Sequence, residues 1–419
     1  MGEERSYKEV FAKLFSKSGK KEEFIMTKEE IMKLDGEYLT HIYGRLPLAP
    51  DHGKNATVYE GDGTKYIDFT AGIGVNSIGI ANEEWAAAVS EQLGKIQHIS
   101  NYYYSEPTGR LAETIVKTSG MKNVIFSNSG AEANEVAIKV ARKYSYDKYG
   151  ENRNVIITLV NSFHGRTVTT LSATGQDVFH KYFFPFTEGF LYVPANDMDA
   201  LKGALTDNVC AIMCEAVQGE GGVNILDSEY VKSLRALCDE KDILLIFDEV
   251  QTGIGRTGTL YAHTHFGVKA DIFTLAKGLG AGLPIGAAVL GEKCKDVMGP
   301  SDHGSTFGGN PAVCAGANVV MKTVTADGFL DEVNKKGEYI KNAVKGFGYP
   351  CIKEVRGKGL MIGVQVTVPH KDIVKKCLSK GLMMLTAGKD VLRMLPPLTI
   401  SYEEIDEGLK ILKEVLSEA

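Results

Sequence analysis

Along this chain the apolar residues fall into short blocks separated by polar, glycine-rich punctuation, and two spacings alternate. Apolar runs, two of them holding a single threonine, occur at Val124–Phe126, Val155–Val160, Ala211–Cys214, Ile243–Phe247 and Ile272–Ala276. Each is short enough for a strand buried on both faces of a parallel sheet. Between the first two, Ala133, Val136, Ala137, Val140, Ala141 and Tyr144 recur at helical spacing and predict a helix with one apolar face. This alternation starts near Thr70 and predicts a mostly parallel, three-layer α/β/α sheet. After about Pro311 the pattern changes. A helix of small apolar residues (AVCAGANVVMKTV) leads to strands at Lys353–Val355 and Leu360–Val366, placed around Arg356–Gly359. The chain closes with a helix carrying Ile405, Leu409, Leu412 and Leu416, for which Ser401 and Glu404 form a capping box. This end reads as a smaller α+β domain.

Ahead of Thr70 the signals are weaker. Residues 1–26 are charged and read as a helix or arm packed on another surface. Thr27 and Glu30 form a capping box for a helix running to about Leu39, and HIYGRLPLAP reads as extended chain. Val58–Glu60 and Tyr66–Phe69 flank Gly-Asp-Gly and predict a hairpin. The expected division is an amino-terminal segment (1–69) belonging to the small domain, a large domain (70–310) and a carboxyl-terminal small domain (311–419). A length of 419 residues fits more than one core.

Composition narrows the function classes. With 44% hydrophobic and 24% charged residues the chain is an ordinary globular protein. A formal net charge of −6 gives no basic footprint, so nucleic acid is not an expected partner. Seven scattered cysteines point to a reducing compartment, and Cys210 and Cys214 lack the second pair a zinc site needs; no metal site is expected. No run approaches the ~20 apolar residues of a membrane span, and MGEERSYKEVF lacks an apolar signal region. Its Met-Gly-x-x-x-Ser pattern has acidic residues after Gly2 and no polybasic second anchor, which argues against acylation. The expected location is the cytoplasm.

Chemistry enters at the ends of the strands. Ile243–Phe247 runs into Asp248 and Glu249, and Ile272–Ala276 runs into Lys277 and the loop GLGAGLPIG. Ligands in open α/β sheets sit beyond the carboxyl ends of the strands, so a carboxylate and an amine would face one crevice. A strand-end Asp can pair with a protonated ring nitrogen, Gln251 can donate to a ring oxygen, and a desolvated Lys is a good Schiff-base amine. Those are the groups pyridoxal phosphate requires. Ser127, Ser129 and Gly130 open the helix after Val124–Phe126, a turn that either binds phosphate or simply caps the helix.

The strings DEVQTGIGRTG, FTLAKGLGAGLPIGA and HGSTFGGNP resemble the class III, or ω-amino acid, aminotransferases, from about Tyr43 to the carboxyl terminus. The members most similar to it move the δ-amino group of N-acetyl-L-ornithine to 2-oxoglutarate, giving N-acetylglutamate 5-semialdehyde and glutamate in arginine biosynthesis. The resemblance implies the fold type I architecture of pyridoxal-phosphate transferases and a homodimer with its sites at the interface. It assigns Lys277 the cofactor link and proton transfer, Asp248 the ring nitrogen, Gln251 the ring oxygen and Phe163 the stacking face. Ser129, Gly130 and Ala131 would hold the phosphate, Thr306 would reach the phosphate in the neighbouring subunit, and Ser305 would contact the substrate. Arg166 and Arg393 answer the substrate carboxylates. Arg393 lies between apolar residues and needs a partner, for which the resemblance supplies Glu220. Tyr43 matches a tyrosine of the substrate entrance. His164 reads as a packing or hydrogen-bonding residue rather than an acid.

The chain departs from the family in places: it has GIANEEW where relatives often have Gly-His-x-His-Pro, and EAVQ where many have Glu-Pro-x-Gln. Ile73 falls where ornithine aminotransferases carry a tyrosine, which argues against free ornithine. Succinylornithine, ornithine, 4-aminobutyrate and lysine stay open as alternative amines. Gly253, Gly255 and Gly258 also spell the G-x-G-x-x-G of a dinucleotide-dependent oxidoreductase. Five residues separate them from the strand and TLYAHTHFG opens no helix, which counts against that rival. A non-catalytic binding protein on the same fold would be marked by loss of Lys277, which is present.

Overall fold

The computed structural model describes residues 26–419. The expectations for Gly2 and for an amino-terminal arm lie outside them, Met26 excepted. The described residues divide into two units, one made of 26–52 with Tyr59–Thr64 and the other of Gly53–Val58 with Lys65–Ala419. In the first, the helix Lys28–Tyr38 opens with the expected capping box. Thr27 Oγ1 accepts from the Glu30 amide at 3.2 Å and the Glu30 carboxylate accepts from the Thr27 amide at 2.9 Å. No residue of this helix is buried. The strands Thr57–Glu60 and Lys65–Asp68 fall where the hairpin was expected.

The second unit is built on seven strands: β1 Asn123–Ser127, β2 Val155–Leu159, β3 Phe190–Val193, β4 Val209–Cys214, β5 Leu244–Asp248, β6 Ile272–Leu275 and β7 Gly286–Leu290. Their order across the sheet is β1-β7-β6-β5-β4-β2-β3. Only β7 runs against its neighbours. In β5, Ile246 lies opposite Met213 of β4 and Ile272 of β6, and every residue of the strand is buried. Its alternate side chains serve opposite layers. Leu245 and Phe247 join Leu234 and Cys238 of the helix α2 (Ser228–Lys241), whereas Leu244 and Ile246 join Val136, Val140 and Ala141 of the helix α1 (Gly130–Tyr149). A strand covered on both faces has no polar side to alternate with, which is why these runs read as continuous apolar blocks.

The carboxyl-terminal part forms a second, antiparallel sheet in the order Ile352–Lys358, Met361–Val366, Val391–Met394 and Leu385–Ala387. The first strand continues through Arg356 to Lys358, where the sequence suggested a connection. Charge and glycine hid it: the Arg356 guanidinium donates to Gly222 O at 2.7 Å and to Glu354 at 2.6 Å, and the backbone pairs normally with Gly363. Gly363 in turn lies opposite Arg393, so this sheet carries Arg393 on a fully buried strand. The closing helix Tyr402–Ser417 has the expected Ser401–Glu404 box. No helix among the described residues is long and apolar enough to cross a membrane.

Candidate active site

The carboxyl ends of β1, β2, β4, β5 and β6 share one edge of the sheet, and a cavity of about 430 Å³ lies over it. Ser129, Gly130, Ala131, Asn134, Phe163, His164, Arg166, Glu215, Asp248, Gln251 and Lys277 all line it. Asp248, the last residue of β5, is buried. Its Oδ2 accepts from His164 Nδ1 at 2.8 Å and from Asn134 Nδ2 at 2.7 Å, and its Oδ1 accepts from the Val250 amide at 3.0 Å. A carboxylate offers about four lone-pair sites. The chain fills three, so one remains for a donor in the cavity.

Lys277 follows β6 at a φ of 41°, a left-handed conformation that non-glycine residues adopt rarely and that concentrates at functional sites. Burial holds its amine below the ordinary lysine value; the neighbouring Glu220 pulls the other way and does not prevail. The result favours a neutral, nucleophilic amine at the cavity wall.

Ser129 caps α1, its Oγ accepting from the Glu132 amide at 3.2 Å and its carbonyl from the Ala133 amide at 3.0 Å. The amides of Gly130 and Ala131, the first two of the helix, have no acceptor within it and stand at the positive end of its dipole. Glycine is required here by space. A Cβ on Gly130 would lie 2.6 Å from Val250 Cγ1.

On the substrate side, Arg393 Nη1 donates to Glu220 Oε1 at 2.7 Å and to Gln251 Oε1 at 3.1 Å. Burial pushes the Glu220 carboxyl up, but the Arg393 guanidinium outweighs it and holds the group below its ordinary range. Gln251 Oε1 accepts from Arg393 and its amide NH₂ donates toward Glu220, leaving one N–H for a further acceptor. Arg166 is exposed, with its guanidinium carbon 3.8 Å from the Phe179 ring centroid and 5.5 Å from that of Phe163. No carboxylate pairs with it among the described residues.

Three expected residues stand apart. Ser305 and Thr306 line a separate cavity of about 550 Å³ with Tyr103, Tyr104 and His98. Ser305 Oγ nevertheless accepts from Asn128, which lines the first cavity, at 3.2 Å. Tyr43 belongs to the first unit, where it is exposed with Arg45 5.4 Å from its ring. Two residues went unrecognised. Asn134 ties Asp248 and His164 O to Thr274, and its one signal was a polar residue amid the buried helix face. Glu215 directly follows β4 and was legible only as the acid of EAVQ. The G-x-G-x-x-G glycines form a packed turn: a Cβ on Gly258 would overlap Asn334 of the helix Phe329–Lys345, and only a short 3₁₀ turn, Ala262–Phe266, follows. No dinucleotide site is made there.

The donors and acceptors around the cavity fit pyridoxal phosphate: an open lone pair for a ring N–H, two helix-terminal amides for a phosphate and, for an aldehyde, an amine whose charged form burial disfavours. Residues 38–416 match the sequence model of the family Aminotransferase class-III. The chain belongs to that family, as a pyridoxal-phosphate-dependent aminotransferase of fold type I.

Among its relatives, the acetylornithine aminotransferase of Haemophilus ducreyi is 53% identical over 396 residues, covering 94% of this chain and 100% of that protein. The crystal structure of acetylornithine aminotransferase from Elizabethkingia anophelis superposes with a TM-score of 0.84 at 31% identity, covering 94% of this chain and 100% of the other. An ornithine aminotransferase structure from Toxoplasma gondii, described with partial occupancy of pyridoxal phosphate at its active site, gives 0.91 at 32% identity, covering 100% and 98%.

Proposed function

We propose that this chain transfers the δ-amino group of N-acetyl-L-ornithine to 2-oxoglutarate, as a homodimer in the cytoplasm. The observation that carries the reading is the grouping of Lys277, Asp248 and Gln251 on one cavity, with Gln251 in turn held by Arg393 of the Arg393–Glu220 pair. Identity of 53% to an acetylornithine aminotransferase supports the choice of amine. Exposed Tyr102, Tyr104 and Phe307, next to the cavity of Ser305 and Thr306, support a partner subunit there. In that dimer Thr306 reaches the partner's cofactor phosphate, with Ser305 beside it on the substrate.

When bound, pyridoxal phosphate supplies an aldehyde that takes up the amino group and a protonated ring that draws electrons from the reacting carbon. Asp248 holds the proton on the ring nitrogen, Gln251 donates to the ring oxygen, and the amides of Gly130 and Ala131, behind the Ser129 cap, hold the phosphate. Phe163 would pack against the ring. Lys277 would be the point of covalent attachment, and its amine is the group that would hold the proton taken from the substrate δ-carbon. Arg166 grips the α-carboxylate of acetylornithine. During that half-reaction Glu220 keeps Arg393 neutralised; when glutamate or 2-oxoglutarate enters, its carboxylate takes over Arg393.

Single-turnover half-reactions test this, followed through the absorbance of the bound cofactor. N-acetylornithine is expected to react fastest among N-acetylornithine, ornithine and 4-aminobutyrate at equal concentration. Ornithine brings an α-ammonium that Ile73, lacking a hydroxyl, does not satisfy. Desolvating that charge costs about 100-fold in rate. Faster reaction of ornithine or 4-aminobutyrate would overturn the choice of amine and leave the class standing.

A further inference from the structure

Glu215 is buried at the end of β4 and plays no part in the chemistry above. Its carboxyl group spans two loops: Oε2 accepts from the Phe163 amide at 3.0 Å and Oε1 from the Gly219 amide at 3.4 Å. Phe163 stands three residues before Arg166, and Gly219 immediately precedes Glu220. One side chain therefore ties the loop that carries the first carboxylate-binding arginine to the loop that carries the partner of the second. Gly219 packs closely on Gln251: a Cβ there would lie 2.2 Å from Gln251 Oε1. The roots of the two loops have a second tie, Gln218 Nε2 to Val160 O at 2.8 Å, so the fold does not depend on Glu215 alone. Burial, with the charge of Asp248 added, pushes the Glu215 carboxyl well above its usual range and favours the protonated form.

We propose that Glu215 is a positioning residue for substrate carboxylates: its reach from Phe163 to Gly219 sets the separation of Arg166 from the Glu220–Arg393 pair, and with it the length of dicarboxylate that fits between them. This rests on the functional reading above. Reach and acidity can be separated by two conservative variants. Glu215→Gln keeps the length and one acceptor without an acid; Glu215→Asp keeps the acid and loses a methylene.

The test is calorimetric binding of glutarate to the cofactor-free proteins, with KM and kcat for 2-oxoglutarate measured on the loaded enzymes. Glu215→Gln is expected to bind glutarate within about threefold of wild type. Glu215→Asp, losing its buried amide contacts, is expected to bind about 10-fold more weakly, with KM raised by a similar factor and kcat nearly unchanged. Wild-type-like binding by Glu215→Asp would overturn the proposal, and so would an equal loss in Glu215→Gln or an effect confined to kcat. Wild-type protein that neither binds glutarate nor turns over acetylornithine would overturn the functional reading itself, and this inference with it.

Discussion

At the scale of single residues, the site is a set of groups whose surroundings prepare them for roles they would not have in water. Lys277 shows this most clearly. An exposed lysine is charged at neutral pH; here burial disfavours the ammonium. The thermodynamic sign follows from proton binding. Between the lowered folded value and the ordinary 10.5, the unfolded chain binds the proton that the folded chain refuses. Stability is therefore lost as pH falls below the ordinary value and regained as pH rises through this window. Lys277→Met removes that cost. Cofactor-free Lys277→Met is expected to melt at a higher temperature than cofactor-free wild type at pH 7, with the gap closing toward pH 10.5. A lower melting temperature for the variant at pH 7 would show that the lysine is not held neutral. Asp248 is prepared in the opposite manner: His164, Asn134 and the Val250 amide saturate all but one of its lone pairs, which fixes the direction in which it can accept.

At the scale of elements, the parallel sheet brings these residues together, and much of it was legible. Apolar runs without alternation marked β2, β4, β5 and β6 because strands covered on both faces have no polar side. What followed each run marked the functional edge, and the spacing of Val136, Val140 and their neighbours marked α1. The limits were physical too. The strand through Arg356 was hidden because its partners, Gly222 O and Glu354, are distant or unpatterned in sequence. Asn134 and Glu215 escaped for a related reason: their roles are hydrogen bonds across loops, which no spacing records. The start of α1 carries its own test. Gly130→Ala would force its Cβ against Val250, a stiff side chain, and displace the amides that face the phosphate. An overpacking cost of about 1–3 kcal/mol predicts roughly 10- to 100-fold weaker pyridoxal phosphate affinity by equilibrium titration of the cofactor-free protein. Unchanged affinity would remove the helix end from the phosphate site.

At the scale of the whole molecule, two sheets cooperate. The parallel sheet supplies Lys277 and Asp248, the turn of a two-stranded ribbon supplies Glu220, and the antiparallel sheet supplies Arg393 on a strand paired with Gly363. Their meeting point is the Arg393–Glu220 contact at 2.7 Å, where, on the proposed reading, a substrate carboxylate would replace Glu220. A molecule that alternates between an ω-amine and an α-amino acid needs such an exchangeable partner, because only the second presents a carboxylate beside its reacting carbon. The most direct measurement is therefore the pair of single half-reactions of Glu220→Ala, followed through the cofactor absorbance with N-acetylornithine and with glutamate as separate donors. The glutamate half-reaction should keep most of its rate, since Arg393 is then permanently open to a carboxylate, while the acetylornithine half-reaction falls by at least about 10-fold more. Equal losses in the two half-reactions would contradict the account.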